Sequence, residues 1–444
     1  MKAEDLYLKS PVWLQWLLIQ WQGRHIARTR LGDDFRRELA AFQASDPAQP
    51  NIKQLRTFVQ QAAATPFWKE RFAQYGFNLN AEDILAEIAK LPIISKQEVK
   101  DNVTAFQNIQ AGEKLIWHHT SGTTGSGLVF PQTALMEQQQ WAVWWRYRMM
   151  HGLQPGTWNG WFGGRSIASV KQQHPPFYRI NYPMKQLMFS AHHLKAETMH
   201  LYVEQLQKRR ISWLHGYPSQ ISLLASLMKQ AGLIRVLPEL IIITTGSENL
   251  LEAQQNIIAE VFGVPVVQHY GLAEGASNIS QHPDGSLRPD QDFAYTEFVP
   301  VNDENPGLCR IVGTNYHNPA FPLLRYDTGD LACVRWENGV PVVLSIDGRQ
   351  EDYITLPGGL KLGRLDHIFK NITEVREAQI YQPETGTVVL RIVKNAGYDA
   401  AGQEKILLAE TRKRLGNNIK IEIEYLAEIP RTKSGKLRFV VSSV

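Results

Sequence analysis

Apolar positions along this chain follow two rhythms. In the middle, short continuous apolar runs alternate with segments whose apolar residues recur every three or four positions. Residues 211–215 (ISWLH) read as a strand. The turn Gly216-Tyr217-Pro218 follows, then a helix over 219–230 that stops near Gly232. Residues 240–243 (LIII) read as a strand buried on both faces. After the loop 244–248 (TTGSE), a helix sets Leu250, Ile257 and Val261 on one face and ends at Gly263. Residues 264–267 (VPVV) form the next strand, followed by the loop 269–275 (HYGLAEG). Such a run of βα units predicts a parallel sheet with helices on its faces. Ligands of such sheets bind at the carboxyl ends of the strands, so the loops at 216–219, 244–248 and 269–275 are expected to meet on one edge.

The last ninety or so residues change rhythm. Strand patterns at 375–381, 388–393 and 420–425 interleave with a charged helix over 403–415, which reads as a small separate α+β domain. The polar segment Asp347-Gly348-Arg349-Gln350-Glu351 is the expected junction. It divides the chain into an N-terminal domain, 1–350, and a C-terminal domain, 351–444.

The first residues set a different problem. Residues 11–21 (PVWLQWLLIQW) are apolar but only about half the length of a bilayer-spanning helix. Arg24, His25, Arg28 and Arg30 follow. A membrane-surface helix and a helix packed on the protein's own body both fit this pattern, and the second is the commoner use of a short aromatic helix. No membrane span and no signal peptide are expected.

Composition narrows the function classes. The hydrophobic fraction of 43% and charged fraction of 20% are those of a soluble globular protein. Lys plus Arg is 47 against 43 for Asp plus Glu, a net charge of +4, too small an excess to argue for a nucleic-acid partner. Cys309 and Cys333 are the only cysteines, and without a Cys-x-x-Cys pair neither a disulfide framework nor a structural zinc site is expected. A reducing cytoplasm fits.

Four segments carry candidate chemistry. Thr120-Ser121-Gly122-Thr123-Thr124-Gly125-Ser126-Gly127 follows an apolar strand at 115–117. Its small residues let backbone N–H groups approach phosphate oxygens, although the same composition also makes a plain polar turn. Tyr270-Gly271-Leu272-Ala273-Glu274 puts one carboxylate at a strand end, suited to magnesium or simply to solvent. Arg325-Tyr326-Asp327-Thr328-Gly329-Asp330 offers an aspartate for paired hydroxyls, or an ordinary Asp-rich turn. Pro430-Arg431-Thr432-Lys433-Ser434-Gly435-Lys436-Leu437-Arg438 is a basic loop suited to a polyanion or to water.

Together and in this order, the four segments closely resemble the adenylate-forming superfamily of acyl-CoA synthetases, nonribosomal adenylation domains and luciferases. The resemblance spans roughly residues 115–440. The phrases LPIISKQEVK, GSENL and PRTKSGKLRFVVS are most similar to the phenylacetate–CoA ligase branch and, within it, to CapK-type proteins of capsular polysaccharide loci. This likeness implies an α/β fold: a large N-terminal body of α/β subdomains with a distorted β-barrel, and a small mobile α+β C-terminal domain. It further implies ATP, magnesium and a carboxylic acid as ligands, with a thiol such as coenzyme A, or an amine, as acceptor.

The roles it implies attach to single positions. Thr120, Ser121, Gly122, Thr123, Thr124 and Gly125 would hold the ATP phosphates. Gly246, Ser247, Glu248, Tyr270 and Gly271 would line the adenine, and Asp330 and Arg349 would grip the ribose. Glu274 would bind magnesium, and Lys436 would bridge the substrate carboxylate and the α-phosphate. Glu351 would be the hinge, and Gly358-Gly359 would approach the acceptor or form a plain hairpin turn. Three departures stand out: Gly127 and Leu128 where many relatives carry a lysine, Ala273 where most have threonine, and Glu351 in place of the usual hinge aspartate.

Trp158, Trp161, Phe162 and Tyr217 can line an aromatic-acid pocket or belong to the core. Arg165 and His269 are further pocket candidates, Arg165 serving equally as half of a surface ion pair. The expected assembly is a monomer or homodimer. Two rival functions accompany the main one: an amide-forming ligase, and a non-catalytic nucleotide-binding protein.

Overall fold

The computed structural model describes residues 3–109, 114–119, 128–163, 167–169, 171–302, 306–337, 340–349, 354–357, 361–362, 365–369, 375–394, 397–416, 418–431 and 437–444. The chain forms two compact units, each discontinuous in sequence. The first comprises Met1–Gly23, Gly156–Gln268 and Gly348–Val444, the second Arg24–Pro155 and His269–Asp347.

Unit one contains the βα run. Strands Ile242–Gly246, Trp213–Gly216, Asn159–Phe162 and Gln186–Phe189 lie side by side in parallel, and Tyr178–Asn181 joins the last of them antiparallel. Helices Met199–Lys208, Pro218–Gln230 and Glu252–Phe262 pack on them. Proline at the first turn preorganises the 218–230 helix. Gly263 ends the 252–262 helix in the left-handed region, φ 71°, as its position in the sequence predicts. Phe162, Leu187, Phe189, Tyr202, Leu214, Leu224, Ile243 and Val261 are buried in the shared core. The apolar run at 240–243 begins its strand two residues later than expected, because Ile241 is half exposed and outside the core.

The late residues of unit one form a four-stranded sheet in the order Lys420–Tyr425, Thr387–Lys394, Val375–Glu384, Val440–Ser442. Only the central pair is antiparallel. Helix Ala400–Leu415, capped by Asp399 accepting from Gly402 N at 3.2 Å, buries Leu407 against Ile380, Leu390 and Ile392. This is the α+β composition expected there. Helix Pro218–Gln230 lies against strand Val375–Glu384.

Unit two pairs strands Leu115–His119 and Val129–Thr133 as an antiparallel hairpin. A larger array runs Tyr295–Pro300, Leu308–Thr314, Tyr326–Glu337, Val340–Arg349, Leu287–Pro289, Asn278–Gln281, then the end of Val266–Gly271. No closure of this array onto itself occurs among the described residues. The barrel expected with the fold takes the form of an antiparallel array here. Leu55, Phe58, Trp68, Phe106, Phe130 and Phe321 form one core, and Ile279, Phe298, Ile311 and Val334 another. No described helix is long and apolar enough to cross a membrane.

Candidate active site

Strand Tyr326–Glu337 alternates in burial, which puts Tyr326, Thr328 and Asp330 on its inner face. Tyr270 stands near the end of strand Val266–Gly271, paired with Ile279. The chain then reverses through 272–277 and presents Glu274. That reversal lies so close to strand Leu308–Thr314 that a Cβ at Gly313 would sit 1.8 Å from the Ala276 carbonyl oxygen. Asn315, fully buried, donates to the Glu274 carbonyl at 3.0 Å and fixes the loop.

These elements bring three of the expected residues together. The Tyr270 hydroxyl donates to Asp330 Oδ2 at 2.7 Å. Glu274 is buried, and Tyr326 donates to its Oε1 across a long 3.4 Å. Lys96 Nζ approaches the same oxygen at 3.7 Å. Burial, and next to it the Asp330 carboxylate, pushes the Tyr270 phenol far up. Burial and Glu274 do the same to Tyr326. Both phenols therefore stay protonated and donate. The Thr328 hydroxyl donates to Ile311 O at 2.9 Å and accepts the Asp330 N–H at 3.1 Å, pinning the aspartate's backbone.

Sequence reasoning assigned no role to Lys96, Tyr326, Thr328 or Asn315. Lys96 opens helix Lys96–Asp101 and is placed by a neighbour: Ile94 N–H donates to Arg325 O at 3.0 Å, and Asp327 N–H donates to Ile94 O at 2.9 Å. No local signal announces that pairing across more than two hundred residues.

His269 is a neutral ring. Burial lowers its pKa to about 4. Its Nε2–H donates to Asn278 Oδ1 at 2.8 Å, Trp144 donates to the same oxygen at 2.9 Å, and the ring stacks on Tyr147 with centroids 5.5 Å apart. An imidazole so held can form a wall but carries no charge at neutral pH.

In unit one, Gly246-Ser247-Glu248 leaves strand Ile242–Gly246 through a left-handed Ser247, φ 66°. Glu248 Oε2 accepts the Ser219 N–H at 3.2 Å, and Oε1 accepts the Leu437 N–H at 2.9 Å. Two of the loops expected on one edge, 216–219 and 244–248, therefore meet, and the residue after Lys436 joins them. Burial pushes the Glu248 carboxyl up, against the opposing pull of those hydrogen bonds. Trp161 and Tyr217 are half-buried at neighbouring strand ends, where Phe162 pairs with Gly216. Phe162 is buried in the core, and Trp158 is half-buried against that core.

Thr120, Ser121, Gly122, Thr123, Thr124, Gly125, Arg165, Glu351 and Lys436 lie outside the described residues. Arg349 closes strand Val340–Arg349, and its side chain is likewise outside the description. No group of three or more His, Cys, Asp or Glu able to hold a metal ion occurs among the described residues. A single buried carboxylate such as Glu274 suits magnesium held mainly by phosphates, not a protein cage.

Known proteins share this organisation. Residues 357–443 match the CapK C-terminal domain family. The chain is 26% identical over 456 aligned residues to Protein CapK of Staphylococcus aureus, covering 99% of both. The crystal structure of 2-hydroxyisobutyryl-CoA ligase in its postadenylation state with 2-HIB-AMP matches at a TM-score of 0.65 and 18% identity, over 89% of this chain and 91% of that one. The fold is that of the adenylate-forming ligases. The same ligase in its thioesterification state, with 2-HIB-AMP and CoA, matches at 0.52 and 18% identity, again over 89% and 91%. On the adenylate-forming ligase fold, the CapK-like segment corresponds to the late four-stranded sheet and helix of unit one.

Proposed function

We propose that this chain converts a carboxylic acid and ATP into an acyl-AMP, releases pyrophosphate, and passes the acyl group to a thiol such as coenzyme A. One observation carries the reading: on an adenylate-forming ligase fold, Tyr270, Glu274 and Asp330 converge at the positions where the motif resemblance puts nucleotide contacts. The structural relative's acyl-AMP and CoA complexes supply the reaction class by analogy.

In this reading Asp330, oriented by Tyr270, accepts from the ribose hydroxyls together with Arg349. The 120–125 loop donates to the phosphates, and Gly246, Ser247 and Gly271 border the adenine. Magnesium would add positive charge at the departing pyrophosphate, with Glu274 the carboxylate that would hold it. The substrate carboxylate and the α-phosphate repel each other, and Lys436 offsets that repulsion as the new bond forms. Trp161, Tyr217, His269 and Arg165 are the candidate residues for acid recognition. The division at 350/351, with Glu351 as hinge, would let one small domain serve two half-reactions. The setting is cytoplasmic, in keeping with two free cysteines.

Pyrophosphate release across a panel of carboxylic acids tests the reading and finds the substrate. Lys436→Ala should slow adenylation by about 10²–10³-fold, as deletion of one transition-state donor does elsewhere. It should spare transfer from chemically supplied acyl-AMP. Glu351→Pro should do the reverse, since proline fixes φ at the hinge. Loss of the same half-reaction in both variants defeats domain alternation. Offering coenzyme A and an amine to the acyl-AMP separates the thioester-forming ligase from the amide-forming one.

A further inference from the structure

Helix Val12–Arg30 docks on the body through a mixed polar and apolar face. Its buried residues are Gln15, Ile19 and Gly23. Gln15 Oε1 accepts from the Nε of Arg179 at 3.0 Å, and Arg179 is completely buried. Gln15 Nε2 in turn donates to Ser10 O at 2.9 Å. Gln20 Nε2 donates to Ile180 O at 2.6 Å, while Gln20 Oε1 accepts from Tyr182 N at 3.1 Å. At Gly23 the helix comes so close to strand Tyr178–Asn181 that a Cβ would lie 2.2 Å from Asn181 Oδ1. The helix is thus held on the body by Gln15 and Gln20 together with buried Ile19 and with Trp16, whose ring meets Tyr178 edge-on at 6.4 Å.

Three of its apolar residues face outward. Trp13 is 65% exposed, Leu17 58% and Trp21 72%. They recur every fourth residue, and Arg24, three residues on, and Arg28, both exposed, extend the same face. At 3.6 residues per turn these five positions fall within roughly 80° of arc, one face that is apolar in its first half and basic in its second. Among the described residues neither arginine has an ion-pair partner, and positions 12–30 include no acid, whereas Arg30 is turned to Glu137 at 2.9 Å. Leu6, in the preceding helix Ala3–Lys9, is 57% exposed as well.

A helix that keeps Trp13, Leu17 and Trp21 outward beside two exposed arginines presents a face suited to an apolar medium outside its own fold. We propose that this face of helix Val12–Arg30 docks on an anionic membrane surface, the indoles and Leu17 entering the headgroup boundary and Arg24 and Arg28 pairing with lipid phosphates. Indole rings favour that boundary because one edge is apolar and the other donates. Arginine matches phosphate geometry. The alternative occupant, a second copy of the chain, fits less well. The stripe exposes on the order of 300–400 Å² of apolar area, well under the roughly 800 Å² a side that stable interfaces bury. Two like-charged arginines would also face their own copies.

The test is flotation of the full chain with vesicles of equimolar phosphatidylcholine and phosphatidylglycerol, against vesicles of phosphatidylcholine alone. The wild type should float with the anionic vesicles and lose most of that binding at high salt. Trp13→Gln with Trp21→Gln should lower the bound fraction about tenfold or more, since binding scales with inserted apolar area. Arg24→Gln with Arg28→Gln should bind weakly and without salt dependence. All these side chains are exposed, so the unfolding midpoint should not move. Wild-type protein that stays at the bottom of the gradient overturns the proposal, as does a tryptophan variant that floats equally well. A wild-type dimer in sedimentation that the tryptophan variant abolishes also overturns it, in favour of a second copy. Should the tryptophan variant unfold, salt-independent flotation of the wild type alone is enough to reject a lipid-phosphate site.

Discussion

Glu248 and Glu274 are both glutamates on loops that leave β-strands, and both sit within motif segments of the nucleotide-binding resemblance. Their surroundings differ in kind. Glu248 has each carboxylate oxygen occupied by a backbone N–H, from Ser219 and from Leu437. Among the described residues, Glu274 takes its hydrogen bond and ion pair on Oε1, a long hydroxyl bond from Tyr326 and a lysine at 3.7 Å. A carboxylate satisfied by main chain braces the fold. One buried with its valence incompletely met is the better candidate for a ligand.

Replacing each glutamate in turn should widen this contrast. Glu274→Gln should slow pyrophosphate release by about 10²–10³-fold, by analogy with loss of one charge at a transition state. Its thermal midpoint should stay near that of the wild type. Wild-type turnover in that variant would remove Glu274 from the reaction. Asp330→Asn should raise the Michaelis constant for ATP by roughly 10–100-fold, since a hydrogen bond to a charged group contributes about 1.5–3 kcal/mol. ATP and 2′,3′-dideoxy-ATP should then bind nearly alike, and a persisting preference for ATP would assign ribose recognition elsewhere.

Glu248→Ala should act on stability first. It strands the Ser219 and Leu437 N–H groups, a loss of about 1–3 kcal/mol that denaturant unfolding can measure. If catalysis collapses while stability holds, the brace reading is wrong. The smallest effect is in pH. Folding raises the Glu248 pKa above its ordinary value of 4.5, so the native state favours the protonated carboxyl. Its stabilising share is fully present below 4.5 and is lost as pH rises through the raised value. The unfolding midpoint of the wild type should therefore fall relative to Glu248→Gln as pH rises from 4.5. A constant difference would mean that Glu248 ionises as freely in the fold as outside it.

The sequence made much of unit one legible because its signals are local. Proline and glycine bound the 218–230 and 252–262 helices, and the strand Lys420–Tyr425 falls where its alternation puts it. The acidic site was half legible. Tyr270, Glu274 and Asp330 lie in turn-rich motifs that draw notice. Lys96 and Tyr326 reach Glu274 only because the backbone at Ile94 pairs with the chain at 325–327. Helix Val12–Arg30 was legible only in part. It packs on the protein's own body, the commoner of the two readings, with Ile19 and Trp16 inward, yet Trp13, Leu17 and Trp21 face out while Gln15 faces in. Apolar residues ring that helix on most sides, so periodicity alone cannot choose the docked face. Ile241, just ahead of the strand Ile242–Gly246, shows the same limit: it is apolar yet half exposed.

The discontinuity of the two units bears on how the chain comes off the ribosome. Unit two has all its residues once position 347 has emerged. Unit one must hold residues 1–23 and 156–268 in waiting until the strands at 375–384, 387–394, 420–425 and 440–442 have been made. At elongation rates of about 5–20 residues per second that wait is roughly 9–35 s. During it, the 218–230 helix lacks the strand it will lie against, and Glu248 lacks the Leu437 N–H. Nascent chains halted just short of residue 375 should accordingly expose unit one, and not unit two, to chaperones and proteases.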